Sequence, residues 1–226
     1  MSNDPSPAIP WERFATFIRQ LSHDLRNQLN AAELQSALIN ECTNDPELKE
    51  DVKRLRELVS QMGRTLHQLS DSVAEPKPNR LTYKLSDLLD DLRDKTGCEF
   101  PDAAVTWRIE AGDEEVNVDP QLIEQAVLEL FANAARHSSA NGEMHVDARA
   151  SDGSLLFILR ETKTGNAIAT DSWGAEPLLT VSHGHYGLGL RRARAIIEAH
   201  GGELRAEYDA KTSALVTTLC LPIHRN

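Results

Sequence analysis

A run of eight apolar residues most constrains this chain: Leu48, Val52, Leu55, Val59, Met62, Leu66, Leu69 and Val73 follow one another in alternating steps of four and three. That rhythm is the seam of a coiled coil or one wall of a helical bundle. The segment before it, from about Pro10, belongs with it, since up to Val73 the only glycine is Gly63 and the only internal proline is Pro46. Phe14, Ile18, Leu21 and Leu25 keep the same rhythm, and Leu29, Leu34, Leu38 and Ile39 widen the face. Between the two helical segments lies Thr43-Asn44-Asp45-Pro46. There Asn44 or Asp45 can cap the second helix and Pro46 suits its first turn. A lone hairpin cannot bury so much apolar surface, so two hairpins are expected to pair into a dimeric four-helix bundle. The alternative is that the hairpin packs against the rest of its own chain.

Glu75-Pro76-Lys77-Pro78-Asn79-Arg80 then stops the helix as a polar, proline-rich linker. Beyond it, strand and helix patterns mix. Strands are expected at 81–85, 105–109, 115–118, 144–150, 154–160, 203–208 and 214–221. Helices are expected at 86–95 (capped by Ser86), 120–137 and 188–199, the last ended by Gly201-Gly202. The expected fold class is α+β: an antiparallel helical hairpin followed by an α/β sandwich. The corresponding domains are residues 8–75 and 81–226, joined by the linker at 76–80.

The formal net charge of −11 in 226 residues excludes a general nucleic-acid binder, which needs clustered cations. The cluster Arg191, Arg192 and Arg194 reads as a solvated helix face, which could still help hold a nucleotide nearby. Cys42, Cys98 and Cys220 have neither metal-ligand nor redox-motif spacing, which suits free thiols in a reducing cytoplasm. The N-terminus lacks the pattern of a signal peptide, and the longest aliphatic or aromatic run is Leu155 to Leu159. A soluble cytoplasmic protein without membrane insertion is therefore expected; its input could come from a separate sensor protein.

Three motifs carry chemistry. In Leu21-Ser22-His23-Asp24-Leu25-Arg26-Asn27, His23 lies about 200° around the helix from both leucines, at 100° per residue, so it points outward when they face the core. Asp24 can orient the imidazole and take its proton, and Asn27 lies one turn on. On the helix at 120–137, Glu129 and Asn133 are four apart and share a face, where their oxygens could serve a phosphate-bound Mg²⁺. In His185-Tyr186-Gly187-Leu188-Gly189-Leu190, the glycines enter a helix and let backbone N–H groups approach an anion. Taken singly, each motif also fits a bland reading: a surface pair, a solvated pair and a tight turn.

In this order and spacing the chain resembles two-component sensor histidine kinases over almost its whole length. Residues 21–29 resemble the family's H box, 119–138 its N box, Glu176-Pro177-Leu178 its F box, and 187–202 its last glycine box with the following helix. The resemblance implies a dimerisation and histidine-phosphotransfer hairpin joined to an ATP-binding domain of the Bergerat type. It implies that His23 is the phosphoacceptor, with Asp24 its proton acceptor. Asn27 matches the position linked to dephosphorylation of a partner. Asn133 would bind Mg²⁺, Glu129 would polarise attack or bind Mg²⁺ through water, and Gly187 and Gly189 would approach the phosphates of ATP. The implied partner is the receiver domain of a response regulator.

The first glycine box departs from the family pattern Asp-x-Gly-x-Gly. Glu161-Thr162-Lys163-Thr164-Gly165 stands there, so Glu161 replaces the adenine-binding Asp, Lys163 replaces a glycine, and Gly165 is kept. Lys163 could compensate by pairing with a phosphate. Three functions follow. The leading one is ATP-dependent autophosphorylation of His23 with transfer to a response regulator. The second is a phosphotransferase that shuttles phosphate through His23 with a degenerate, non-ATP-using domain. The third is a non-enzymatic dimeric scaffold that docks a receiver domain.

Overall fold

In a computed structural model, residues 10–112, 114–137, 143–163, 170, 173–174 and 187–223 are described. The chain divides into two compact units, Met1–Ala74 and Glu75–Asn226.

The first unit is a hairpin of α1 (Trp11–Cys42) and α2 (Pro46–Val73). Of the two candidate caps, Asp45 is the one used: its Oδ1 accepts from the Glu47 backbone N–H at 2.9 Å, with Pro46 at the first helical position. The heptad column of α2 splits in two. Val52, Val59 and Val73 are buried against α1, whereas Leu48, Leu55 and Met62 face outward. On α1, Ala15, Ile18, Ser22 and Ser36 are buried, while Phe17, Leu34 and Leu38 are exposed. Leu34 is 73% exposed, Leu38 60% and Met62 56%, so each helix carries a second apolar stripe that one hairpin leaves uncovered.

The second unit is an α/β sandwich. Strands β1 (Leu81–Lys84) and β3 (Glu115–Val118) form an antiparallel pair. Strands β2 (Val105–Glu110), β4 (Met144–Ser151), β5 (Ser154–Thr162), β6 (Glu203–Asp209) and β7 (Ala214–Pro222) form a sheet in the order β2-β4-β5-β7-β6. Only β2 and β4 are parallel. The helices α3 (Leu85–Glu99), α4 (Pro120–His137) and α5 (Gly189–Ala199) share a single core with this sheet. Alternate residues of each strand enter that core: Met144, Val146 and Ala148 from β4, and Leu155, Phe157 and Leu159 from β5. Phe131 of α4 stacks on Trp107 with ring centroids 6.0 Å apart, and Trp107 meets Phe157 edge-on at 5.8 Å.

Two local readings need correction. Helix α3 begins at Leu85, one residue before the expected Ser86 cap, and the Ser86 hydroxyl donates to Asp87 instead. The earlier start places fully buried Leu85 in register with Leu88, Leu89 and Leu92. Helix α3 also runs on to Glu99, because Thr96 is buried and its hydroxyl is absorbed by the carbonyls of Leu92 and Arg93. At the other end of the unit, Gly201 (φ +77°) supplies the left-handed stop after α5. A Cβ on Gly202 would collide with the Cys220 carbonyl, so only glycine lets α5 turn down onto β7 there.

His200, between these elements, is buried and bonded on both nitrogens. Nδ1 lies 2.7 Å from the Ile196 carbonyl, which can only accept, and Nε2 accepts from the Asp119 backbone N–H at 3.0 Å. Asp119 in turn accepts from Leu122 N–H at the start of α4 and from Asn79 N–H. Arg80 donates to the Ala199 carbonyl at 2.6 Å. One neutral imidazole thus ties the end of α5 to the start of α4, and the chain entering the unit is tied to the same two helix ends.

Burial holds the His200 imidazole below its ordinary range; the Ile196 carbonyl and the Asp119 carboxylate oppose the shift, while the Arg80 guanidinium adds to it. A depressed folded value means that the unfolded chain takes up the proton first. Stability is then complete above about pH 6.5 and falls as pH drops through the folded value. The urea midpoint is expected to decline between pH 7.5 and 5.5. His200→Leu, which leaves the Asp119 N–H unpaired, should cost about 1–3 kcal/mol at pH 7.5 and flatten that decline.

Candidate functional site

On α1, His23 is 66% exposed and its Nδ1 lies 3.2 Å from Asp24 Oδ1. An ionised carboxylate has no proton to donate, so this contact is a hydrogen bond only when Nδ1 carries the proton. Nε2 then keeps its lone pair. The sequence reading missed Gln20, one turn back, whose amide donates to the same Asp24 oxygen at 2.9 Å. The Gln20 hydrogen bond first, and the His23 contact second, hold the Asp24 carboxyl below its usual range. An i, i+4 pair of an amide and an acid was the signal that could have revealed it. Asn27 is exposed, one turn beyond His23.

The second set of residues lines α4. Its apolar face (Ile123, Val127, Leu130, Phe131 and Ala134) is buried, which leaves Gln125, Glu129, Asn133 and His137 as a polar stripe at steps of four. Two points on that stripe, Glu129 and His137, meet different elements. At Glu129, α5 begins: a Cβ on Gly189 would collide with the Glu129 carboxylate, so the backbone at the start of α5 and the carboxylate are in direct apposition. Gly187 adopts φ +64°, and Leu188, the residue before α5, supplies no side-chain cap to the first-turn N–H groups. Burial pushes the Glu129 carboxyl up, against the pull of Arg136 and Arg192. Among the described residues, no cluster of three metal-ligating side chains occurs, so a cation here would need phosphate or water oxygens as well.

At the His137 end stands an ion pair. Glu161, the last core-facing residue of β5, continues the inward row Leu155, Phe157 and Leu159. Lys163 follows at the next inward position. Its Nζ donates to Glu161 Oε2 at 2.6 Å and to the His137 carbonyl at 3.2 Å, and the two side chains are only 3% and 8% exposed. Burial pushes the Glu161 carboxyl up while the Lys163 ammonium pulls it back. Partial desolvation, with the Lys163 and Arg136 cations nearby, lowers the exposed His137 imidazole. In the structure the Lys163 ammonium is paired with the buried Glu161 carboxylate beside it. Gly165, the Glu176-Pro177-Leu178 segment and His185-Tyr186 lie outside the described residues.

Residues 118–225 match the family described as histidine kinase-, DNA gyrase B- and HSP90-like ATPases. This part of the chain is similar to histidine kinase-type ATPase domains. The chain as a whole is similar to sensor histidine kinases. It is 26% identical to the alginate biosynthesis sensor protein KinB of Pseudomonas aeruginosa over 199 residues, 83% of this chain and 33% of that protein. It is 24% identical to the signal transduction histidine-protein kinase AtoS of Escherichia coli over 219 residues, 94% of this chain and 36% of that protein. The chain therefore spans about a third of the length of either relative. Among solved structures, full-length ShkA in complex with AMPPNP superposes with a TM-score of 0.69 at 19% identity, covering 93% of this chain and 46% of that one. The mycobacterial sensor histidine kinase MprB gives 0.54 at 20%, over 65% of this chain and 99% of that one. These likenesses establish an α+β fold, with a helical region before the ATPase domain. Among the described residues no helix is long and apolar enough to cross a membrane.

An ATPase domain implies a nucleotide, and the polar stripe of α4 tests the fit. Glu129 and His137 are eight residues apart, about 12 Å along the axis at 1.5 Å per residue, a span an extended nucleoside triphosphate can cover. The Gly187–Gly189 end suits phosphates. At the Glu161 end, Lys163 already donates to one carboxylate oxygen, Oε2, and both side chains are buried.

Breaking this pair on one side alone leaves a buried charge. Lys163→Met is therefore expected to cost about 3 kcal/mol at pH 8, whereas Glu161→Leu/Lys163→Met should stay within about 1 kcal/mol of the parent chain. Urea unfolding of the three proteins checks both values.

Proposed function

We propose that the chain is the phosphotransfer and ATP-binding core of a two-component histidine kinase. His23 takes the γ-phosphoryl group of ATP and passes it to an aspartate on the receiver domain of a response regulator. The observation that carries this reading is the exposed His23–Asp24 dyad with Gln20 behind it. With the proton held on Nδ1, the Nε2 lone pair is the nucleophile, and Asp24 stabilises the charge that develops on the ring. Within the ATPase domain, Gly187 and Gly189 would pass close to the phosphates, and Asn133 and Glu129 would offer oxygens to the accompanying Mg²⁺. Asn27, one turn from His23, would position water or a phosphoryl oxygen during reversal. Glu161, Lys163 and Gly165 would border the base.

Because the carboxylate that should meet the base is held by Lys163, a second reading has an observation of its own. In it, His23 receives its phosphoryl group from a phosphorylated receiver and the domain at 118–225 uses no ATP. Incubation with γ-labelled ATP and Mg²⁺ decides between them. Acid-labile label on the parent chain and none on His23→Gln is the expected result. Label from a phosphorylated receiver, with none from ATP, would establish the second reading.

The uncovered leucine stripes of α1 and α2 support dimerisation of the hairpin into a four-helix bundle. The parent chain should therefore run as a dimer in light scattering. Leu34→Asp/Leu55→Asp, which places charges on exposed positions of both stripes, should yield a folded monomer.

A further inference from the structure

The ion pair at the end of β5 is built like part of the core, yet it lies at one end of the stripe to which the kinase reading assigns the nucleotide. Lys163 Nζ makes two contacts there: to Glu161 Oε2 at 2.6 Å, and to the carbonyl of His137 in the last turn of α4 at 3.2 Å. Its backbone N–H is held as well, by the Ser213 carbonyl at 2.8 Å. The ammonium therefore takes up Oε2 of the carboxylate from within the chain, and Lys163 is anchored to the helix end and the strand loop on either side.

Resting on the kinase reading, we propose that Lys163 is a specificity-determining lock on the base end of the nucleotide site. The chain carries its own cationic occupant of Glu161, and an adenine amine gains that acceptor only when Lys163 swings away. The carboxylate then exchanges one hydrogen-bond donor for another, and the ammonium must find water or a phosphate.

Two facts set the size of the effect. Glu161 and Lys163 are nearly inaccessible, so the pair must open before a base can bind. When a binding-competent state is the minor one, the apparent dissociation constant rises by the inverse of its population. If the open state is populated at or below about 10%, removing the ammonium tightens binding by about tenfold or more. The lock thus makes the site depend on nucleotide concentration, without altering the phosphate end at Gly187 and Gly189.

Binding of AMPPNP with Mg²⁺ to the full chain, followed by calorimetry at pH 8, tests the proposal on four proteins. These are the parent, Lys163→Met, Lys163→Gln and Glu161→Leu/Lys163→Met. The glutamine variant keeps a neutral donor beside the buried Glu161 and so preserves the fold should the methionine variant unfold. The expected result is a gain of about tenfold or more in a Lys163 single variant, with none in the double variant, which lacks the acceptor. Unchanged or weaker affinity in both single variants overturns the lock. So does an equal gain in the double variant, because the effect would then not run through Glu161. Labelling of His23 by ATP in the parent chain, read in parallel, keeps the kinase reading separate. Label with no gain in either variant sinks the lock alone, and no binding by any of the four proteins sinks both.

Discussion

Burial of one face of α4 is the interaction on which the ATPase domain depends. Ile123, Val127, Leu130, Phe131 and Ala134 are turned into the core, and Phe131 meets the aromatic pair Trp107 and Phe157 that stitches β2 to β5. Each large side chain sunk there contributes about 1.5–3 kcal/mol relative to exposure. Helical geometry then leaves little freedom. With that face inward, Gln125, Glu129, Asn133 and His137 must form one line along the flank of the helix. Core packing, rather than any local preference of the polar residues, places both ends of the candidate site.

Two points on that line differ in chemistry. At Glu129 the contact is with backbone, and a side chain at 189 would force the carboxylate to shift. At His137 the contact is with a charged side chain of the same chain. A buried ion pair stabilises little in net terms, since desolvation of both groups consumes most of the attraction, but losing one partner is costly. A pair of that kind is therefore difficult to remove by single substitutions.

The hairpin shows the same separation of pattern and placement. A strict heptad column ordinarily marks one seam. In α2 the column is shared between two surfaces, with Val52, Val59 and Val73 against α1 and Leu48, Leu55 and Met62 turned away. The β-branched positions serve the intramolecular contact, and the longer, more flexible side chains are left for another surface. On α1 this arrangement leaves His23 exposed beside Asp24.

Much of this was legible in the residues themselves. The two helices of the hairpin, a cap at Asn44 or Asp45, the amphipathic character of α4 and the glycine stop after α5 all follow from local periodicity and turn chemistry. These signals act over a few residues and survive in any context. His23 does face outward, but not by its angle from Leu21 and Leu25: Leu21 is itself exposed and Ser22 is the residue buried there, so packing of the hairpin decided it. Tertiary structure alone decided which half of the heptad column faces inward, that α3 starts at Leu85, that Gly189 abuts Glu129 and that His200 joins α4 to α5. It also decided the partner of Lys163. Glu161 lies only two residues away, but the pairing requires both side chains to project into the core, and the second acceptor, His137, is 26 residues distant. An isolated strand would leave that ammonium in water, and only the closed α/β core makes the nearest carboxylate and the end of α4 its best solvent.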